Sequence, residues 1–261
     1  MAKFCSLFSS SSGNSTFIGT EDSGILIDVG VSAKKTAEAL ERIGSSPLAI
    51  DAIFITHEHI DHINGVRVFA SKYNIPVYAT RGTLEGMDEA GVFSSPVEAF
   101  VIPEKGIEAN GMFVRPFRTS HDSNEPCGYT VVTPDGKRIS IATDMGIVTE
   151  DAAENIRGSE LVLLESNHDI GMLKMGSYPY FLKQRILSDT GHLNNDDSAD
   201  FAGYLLENGT SKFVLGHLSK ENNLPSLAYQ TAKNVFDEMG AAENRDYTLC
   251  VASDNNEPII F

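Results

Sequence analysis

Apolar positions in the first quarter of the chain come in short runs, residues 3–8, 15–19 and 24–28, separated by Ser, Gly, Asn and Asp. Runs of that length between turn formers predict short paired strands. The period then changes: Ala33, Ala37, Leu40 and Ile43 lie at near-helical spacing and Gly44 offers a stop, which predicts a helix over 33–43. A continuous apolar run predicts a buried strand at 51–56, followed by a helix at 64–73 and a strand at 76–79. Strands are expected at 112–119, 127–133 and 137–143, the last two joined by the hairpin turn Asp135-Gly136. After a short helix comes a strand at 161–165, and the last third alternates helices at 178–187, 198–208 and 227–239 with strands at 212–215 and 247–251. This order suits two sheets packed face to face with helices outside. The expected class is therefore α/β (α+β), a four-layer αββα sandwich with residues 1–261 as a single domain.

Composition adds constraints. A chain of 261 residues, 41% hydrophobic, can bury a sizeable core. Its formal net charge of −16, from 36 acidic against 20 basic residues, works against a surface broadly attracted to nucleic acid or anionic membrane. A polyanionic substrate needs a local positive site, which bound divalent cations supply. Cys5, Cys127 and Cys250 are too few and too scattered for a disulfide framework and read as small buried apolar residues of a reducing compartment. The N-terminus lacks the apolar stretch of a signal peptide, and nowhere do about eighteen apolar residues run together, so a cytoplasmic protein without a membrane span is expected.

The chemistry concentrates where the 51–56 strand ends, in the run His57-Glu58-His59-Ile60-Asp61-His62. Imidazoles with a carboxylate on one loop are the ligand set of zinc, and also serve manganese or iron. A solvated histidine-rich loop is the bland alternative, but three histidines and an aspartate directly after an apolar strand are far rarer than isolated histidines. A pair of ions needs more ligands than one loop presents. His121, Asp144 and His217 each follow a separate predicted strand, where side chains emerge at a sheet rim.

With these residues in place the sequence resembles the metallo-β-lactamase superfamily, whose HxHxDH run, later His, later Asp and final His match it over residues 57–217. The resemblance implies two divalent ions, zinc or manganese, one held by His57, His59 and His121, the other by Asp61, His62 and His217, with Asp144 bridging; spacing alone does not divide the ligands. Oxygen-reducing di-iron proteins of this fold carry a carboxylate where His59 stands, which disfavours redox chemistry. Antibiotic-hydrolysing members usually have Cys where Asp144 stands, so the phosphodiesterase, glyoxalase and nuclease branches fit better. The Ser-Ser-Gly-Asn-Ser stretch at 11–15, the ESNHD run at 165–169 and HLSKENN at 217–223 are similar to the YycJ/WalJ-like group. That resemblance implies 5′ to 3′ exonuclease action on DNA, linked to mismatch repair. A further run of the group reads Gly-His-Leu-Asn-Asn here, with Asn194 where Ser is usual.

Bound metal lowers the pKa of water to about 7, and two ions also clamp a phosphate oxygen, so a phosphodiester suits such a centre. Asp61 would ligate one ion and orient the nucleophile, while His168 and His192 are candidates to protonate the leaving oxygen. Ser12 and Asn14, in a stretch able to cradle phosphate through backbone N–H groups, Asn167 in the ESNHD run and Lys220 after the last ligand are candidate substrate contacts. A hairpin turn and a solvated loop explain the first and last of these equally well. Tyr178, Tyr180 and Phe181 with Lys174, Lys183 and Arg185 offer stacking and phosphate contact, although their near-helical spacing also fits an amphipathic helix. Competing functions are hydrolysis of a small phosphodiester or thioester, which needs no basic track, and a non-catalytic metal-binding scaffold.

Overall fold

The computed structural model describes residues 2–253 and 257–261. The N-terminal half runs β1 (Lys3–Ser10), β2 (Gly13–Gly19), β3 (Gly24–Ile27), α1 (Ala33–Arg42), β4 (Ile50–Phe54), α2 (Ile60–Ile63), α3 (Val66–Tyr73), β5 (Val77–Ala79), α4 (Arg81–Glu89) and β6 (Ala99–Val101). The rest runs β7 (Ile107–Ala109), β8 (Met112–Arg118), β9 (Cys127–Val132), β10 (Arg138–Ala142), α5 (Glu150–Ile156), β11 (Leu161–Glu165), α6 (Ile170–Met175), α7 (Tyr180–Ile186), α8 (Asn195–Glu207), β12 (Lys212–Gly216), α9 (Pro225–Glu238), β13 (Thr248–Val251) and β14 (Ile259–Ile260). Two seven-stranded sheets result, in the orders β14-β1-β2-β3-β4-β5-β6 and β13-β12-β11-β10-β9-β8-β7. Each is antiparallel through its hairpins and parallel from β3 to β6 or from β10 to β13.

Side-chain alternation explains the layering. In β3, Ile25 and Ile27 join the core between the sheets, with Phe4, Phe54 and Tyr129, while Leu26 points the other way and packs with Leu40 of α1 and Phe69 of α3. In β11, Leu161 and Leu163 face the other sheet, whereas Val162 and Leu164 meet Leu205 of α8 and Phe236 of α9. Strands covered on both faces read as continuous apolar runs, which is why they stood out in the sequence. The αββα sandwich expected from the pattern is the fold observed.

Several boundaries differ, each for a local reason. The 51–56 strand leaves the sheet after Phe54, so Ile55 and Thr56 already belong to the loop that carries His57. The helix expected at 64–73 starts at Val66 and is preceded by the separate turn α2, which folds the ligand run back on itself. Helix α8 begins at Asn195 rather than 198 because Asn194 caps it. The helix expected at 178–187 forms as α7 but buries no residue. Helix α4 and the edge strands β6 and β7 were not expected; the strands are short and half exposed, so no apolar run announces them. Among the described residues no helix is long and apolar enough to cross a membrane.

Candidate metal centre

Strand ends build the site. Asp28, Asp144 and His217 directly or almost directly follow β3, β10 and β12, and all three adopt left-handed backbone, with φ of 62°, 60° and 55°. Few side chains tolerate that conformation, and its presence at three strand ends turns each of these side chains sharply over the rim. The ligand loop closes tightly onto Gly30, where a β-carbon would stand 1.6 Å from the Asp61 carbonyl oxygen. Only glycine fits.

All seven side chains expected as ligands converge there. His57 Nε2 lies 3.0 Å from His59 Nδ1, which lies 3.3 Å from His121 Nε2. Asp61 Oδ2 lies 3.4 Å from His62 Nε2 and 3.6 Å from His217 Nε2. Between the two groups stands Asp144, with Oδ2 at 3.3 Å from His62 Nε2 and Oδ1 at 3.7 Å from His121 Nε2. Two ligand atoms about 2.05 Å from one tetrahedral ion stand about 3.3 Å apart, the separation seen here. Among the described residues, buried Asp144 Oδ2 and His217 Nε2 have no hydrogen-bond partner, as fits atoms that would ligate a shared ion. His57, His59 and His121 form one group able to hold an ion, Asp61, His62 and His217 another, and His57, His62 and Asp144 a third that joins them.

Electrostatics favours cations at the carboxylate side. Burial works against charge on His62 and His217, yet Asp144 and the neighbouring carboxylates outweigh it, lifting His62 well above the ordinary histidine range and His217 to about 10. A field that draws protons onto these rings draws a divalent ion as well. At His57, burial and the adjoining rings of His62, His121 and His59 act together and hold the imidazole well below its usual value, in the neutral form that ligation requires.

The profile of the Metallo-beta-lactamase superfamily matches residues 10–217. The chain belongs to this superfamily. It is 40% identical over 235 residues, 89% of this chain and 87% of the other, to exodeoxyribonuclease WalJ of Streptococcus pneumoniae. It is 35% identical over 238 residues, 91% of this chain and 90% of the other, to exodeoxyribonuclease YycJ of Bacillus anthracis. The fold of the metallo-β-lactamase fold protein YhfI from Bacillus subtilis superposes with a TM-score of 0.73 at 15% identity, covering 98% of both chains.

Behind this superfamily centre lie two buried carboxylates that the sequence reading passed over. Asp28 Oδ2 accepts from His62 Nδ1 at 2.8 Å and from Thr56 Oγ1 at 2.9 Å. Glu165 Oε1 accepts from His217 Nδ1 at 2.9 Å and from His192 Nδ1 at 2.7 Å, and its Oε2 accepts from Met145 N at 2.7 Å. Burial opposes ionisation of Glu165, but His192 and His217 beside it pull its pKa well below the carboxylate range. His121 Nδ1 donates to the Gly191 carbonyl at 3.0 Å. The contacts to His62, His121 and His217 engage Nδ1 of each ring and leave Nε2 to ligate. Both carboxylates end an apolar strand, the same signal that identified Asp144 and His217.

The other expected site residues divide. The ring of His192 is 18% exposed at the mouth, with centroids 5.0 and 5.2 Å from those of His121 and His217. His168 is not brought in: it is 1% exposed, its ring nitrogens make no hydrogen bond among the described residues, and burial lowers its pKa to about 4. Asn14 enters the centre, its amide nitrogen 3.3 Å from Asp61 Oδ2 and 3.0 Å from His62 Nε2. Ser12 is exposed at the tip of the β1–β2 turn, and Lys220 is exposed after the His217 loop. Asn167 is buried and donates to the His217 carbonyl at 2.9 Å, a brace for the ligand loop rather than a contact open to substrate.

Proposed function

We propose that the chain is a two-metal phosphodiesterase that removes nucleotides from the 5′ end of DNA. The observation that carries the reading is the convergence of His57, His59, His121, Asp61, His62, His217 and Asp144 at ligand spacing. Exodeoxyribonuclease relatives matching most of the chain support DNA as the substrate. His57, His59 and His121 would hold one ion and Asp61, His62 and His217 the other, with Asp144 shared. Zinc or manganese bound there supplies a water nucleophile near neutral pH and offsets phosphate charge, which an acidic protein otherwise repels.

The chain's own groups complete the reaction. Glu165 orients His192 through Nδ1, so its Nε2 faces the mouth and gives a proton to the leaving oxygen as the P–O bond breaks and the water oxygen bonds to phosphorus. Asn14 holds the Asp61 carboxylate in position. Ser12 and Lys220 stand at the rim as phosphate contacts.

The test is incubation of purified, metal-loaded protein with 5′-labelled DNA and, separately, with a small chromogenic phosphodiester. Progressive shortening of the DNA is expected. Hydrolysis of the small ester with DNA left intact would instead establish a small-molecule phosphodiesterase. Asp61→Ala and His62→Ala should each abolish hydrolysis while leaving the far-ultraviolet dichroism unchanged, and full activity in either variant would refute the roles assigned. A metal-binding scaffold would show no hydrolysis by the unaltered protein.

A further inference from the structure

Tyr180 and Phe181, 77% and 74% exposed, are the two most exposed aromatic side chains among the described residues, and Met175 at the end of α6 is 89% exposed. Helix α7 buries none of its residues, so its apolar positions do not serve a core. An exposed apolar cluster of this kind marks an interaction surface.

Its attachment points to the occupant. Arg185 near the end of α7 holds Asp122 through two hydrogen bonds, the longer of 2.9 Å, and Asp122 adjoins His121. His192 N donates to the Ile186 carbonyl at 3.0 Å, fixing the end of α7 to the rim of the metal centre. Lys183 Nζ donates to the Lys174 and Gly176 carbonyls at 2.9 and 2.6 Å and ties α7 to the end of α6. Tyr180 lies five residues before Arg185, about 7.5 Å along the helix. Tyr180 and Phe181 thus stand on a braced arm beside the centre. Residues 170–187 also contain Lys174, Lys183 and Arg185 and no acidic residue, in a chain of net charge −16. With Arg185 paired to Asp122, Lys174 and Lys183 still leave the arm positive, and a positive, aromatic arm in an acidic protein complements a polyanion that carries flat bases.

We propose that Tyr180 and Phe181 form the platform on which bases of a single-stranded DNA end stack, with Lys174 against the backbone, as the scissile phosphate enters the metal centre. This rests on the DNA reading above and extends it to the strand's path. Stacking is sequence-tolerant because every base has a π-face, which suits an enzyme that must pass any sequence.

The test compares the metal-loaded full chain with its Tyr180→Ala/Phe181→Ala variant, using a single-stranded oligonucleotide and a small chromogenic phosphodiester. The ratio of kcat/KM for the oligonucleotide to that for the ester should fall about tenfold or more, with the loss in KM. The ring-keeping variant Tyr180→Phe/Phe181→Tyr should restore it. An unchanged ratio in the double alanine variant overturns the proposal. So does a change of sedimentation coefficient on removing the rings, which would show a second copy of the chain on this face. Unaltered protein that cleaves the ester but not DNA overturns the DNA reading, and this inference with it, and that outcome is visible before any variant is made.

Discussion

Glu165 shows how much of the site depends on single residues outside the seven expected ligands; it also groups with Asp144, His192 and His217 at ligand distance. Its carboxylate accepts from His217, His192 and the Met145 N–H at once, so a glutamine there loses an acceptor and turns an NH2 group toward other donors. Glu165→Gln should weaken divalent-metal affinity by about 10–100-fold, measured by competition with a chromogenic chelator. Unchanged affinity would mean that His217 is oriented by other contacts. The seven candidate ligands were legible because four crowd into one run after an apolar strand and the other three each follow an apolar strand of their own. Asp28 and Glu165 share that position, and nothing in sequence separates a group that would grip an ion from one that holds the gripping ring; only the 2.8 and 2.9 Å contacts do. His168, buried beyond the end of β11, illustrates the converse. Beyond the end of β11 the chain leaves regular structure, so the inward or outward turn of each side chain has no period to follow.

At the scale of elements, legibility follows burial. The helix expected at 227–239 forms as α9, in which Ala228, Ala232 and Phe236 recur every fourth residue and all are buried. Helix α7 has comparable spacing without burial, so its period signals a surface rather than a packed face. Asn194 finds its reason in α8: its side-chain oxygen accepts from Asp196 N and Asp197 N, both at 3.0 Å, a cap that serine supplies equally well. Asn194→Ala should cost about 1 kcal/mol in chemical denaturation, and Asn194→Ser should cost almost nothing. A large loss in the serine variant would show that the residue does more than cap.

For the whole molecule, the αββα arrangement was readable because strands covered on both faces leave long apolar runs, and two sheets with outer helices are the way to cover them. Charge was readable as a problem: an acidic protein meets a polyanion only through a local concentration of positive charge. The buried cluster of histidines and aspartates meets that need when two cations sit among them. The most direct measurement is the number of divalent ions per chain, by elemental analysis after saturation with zinc or manganese and removal of excess. Two ions per chain are predicted, falling in a His59→Ala variant. One ion or none in the unaltered protein would contradict the account.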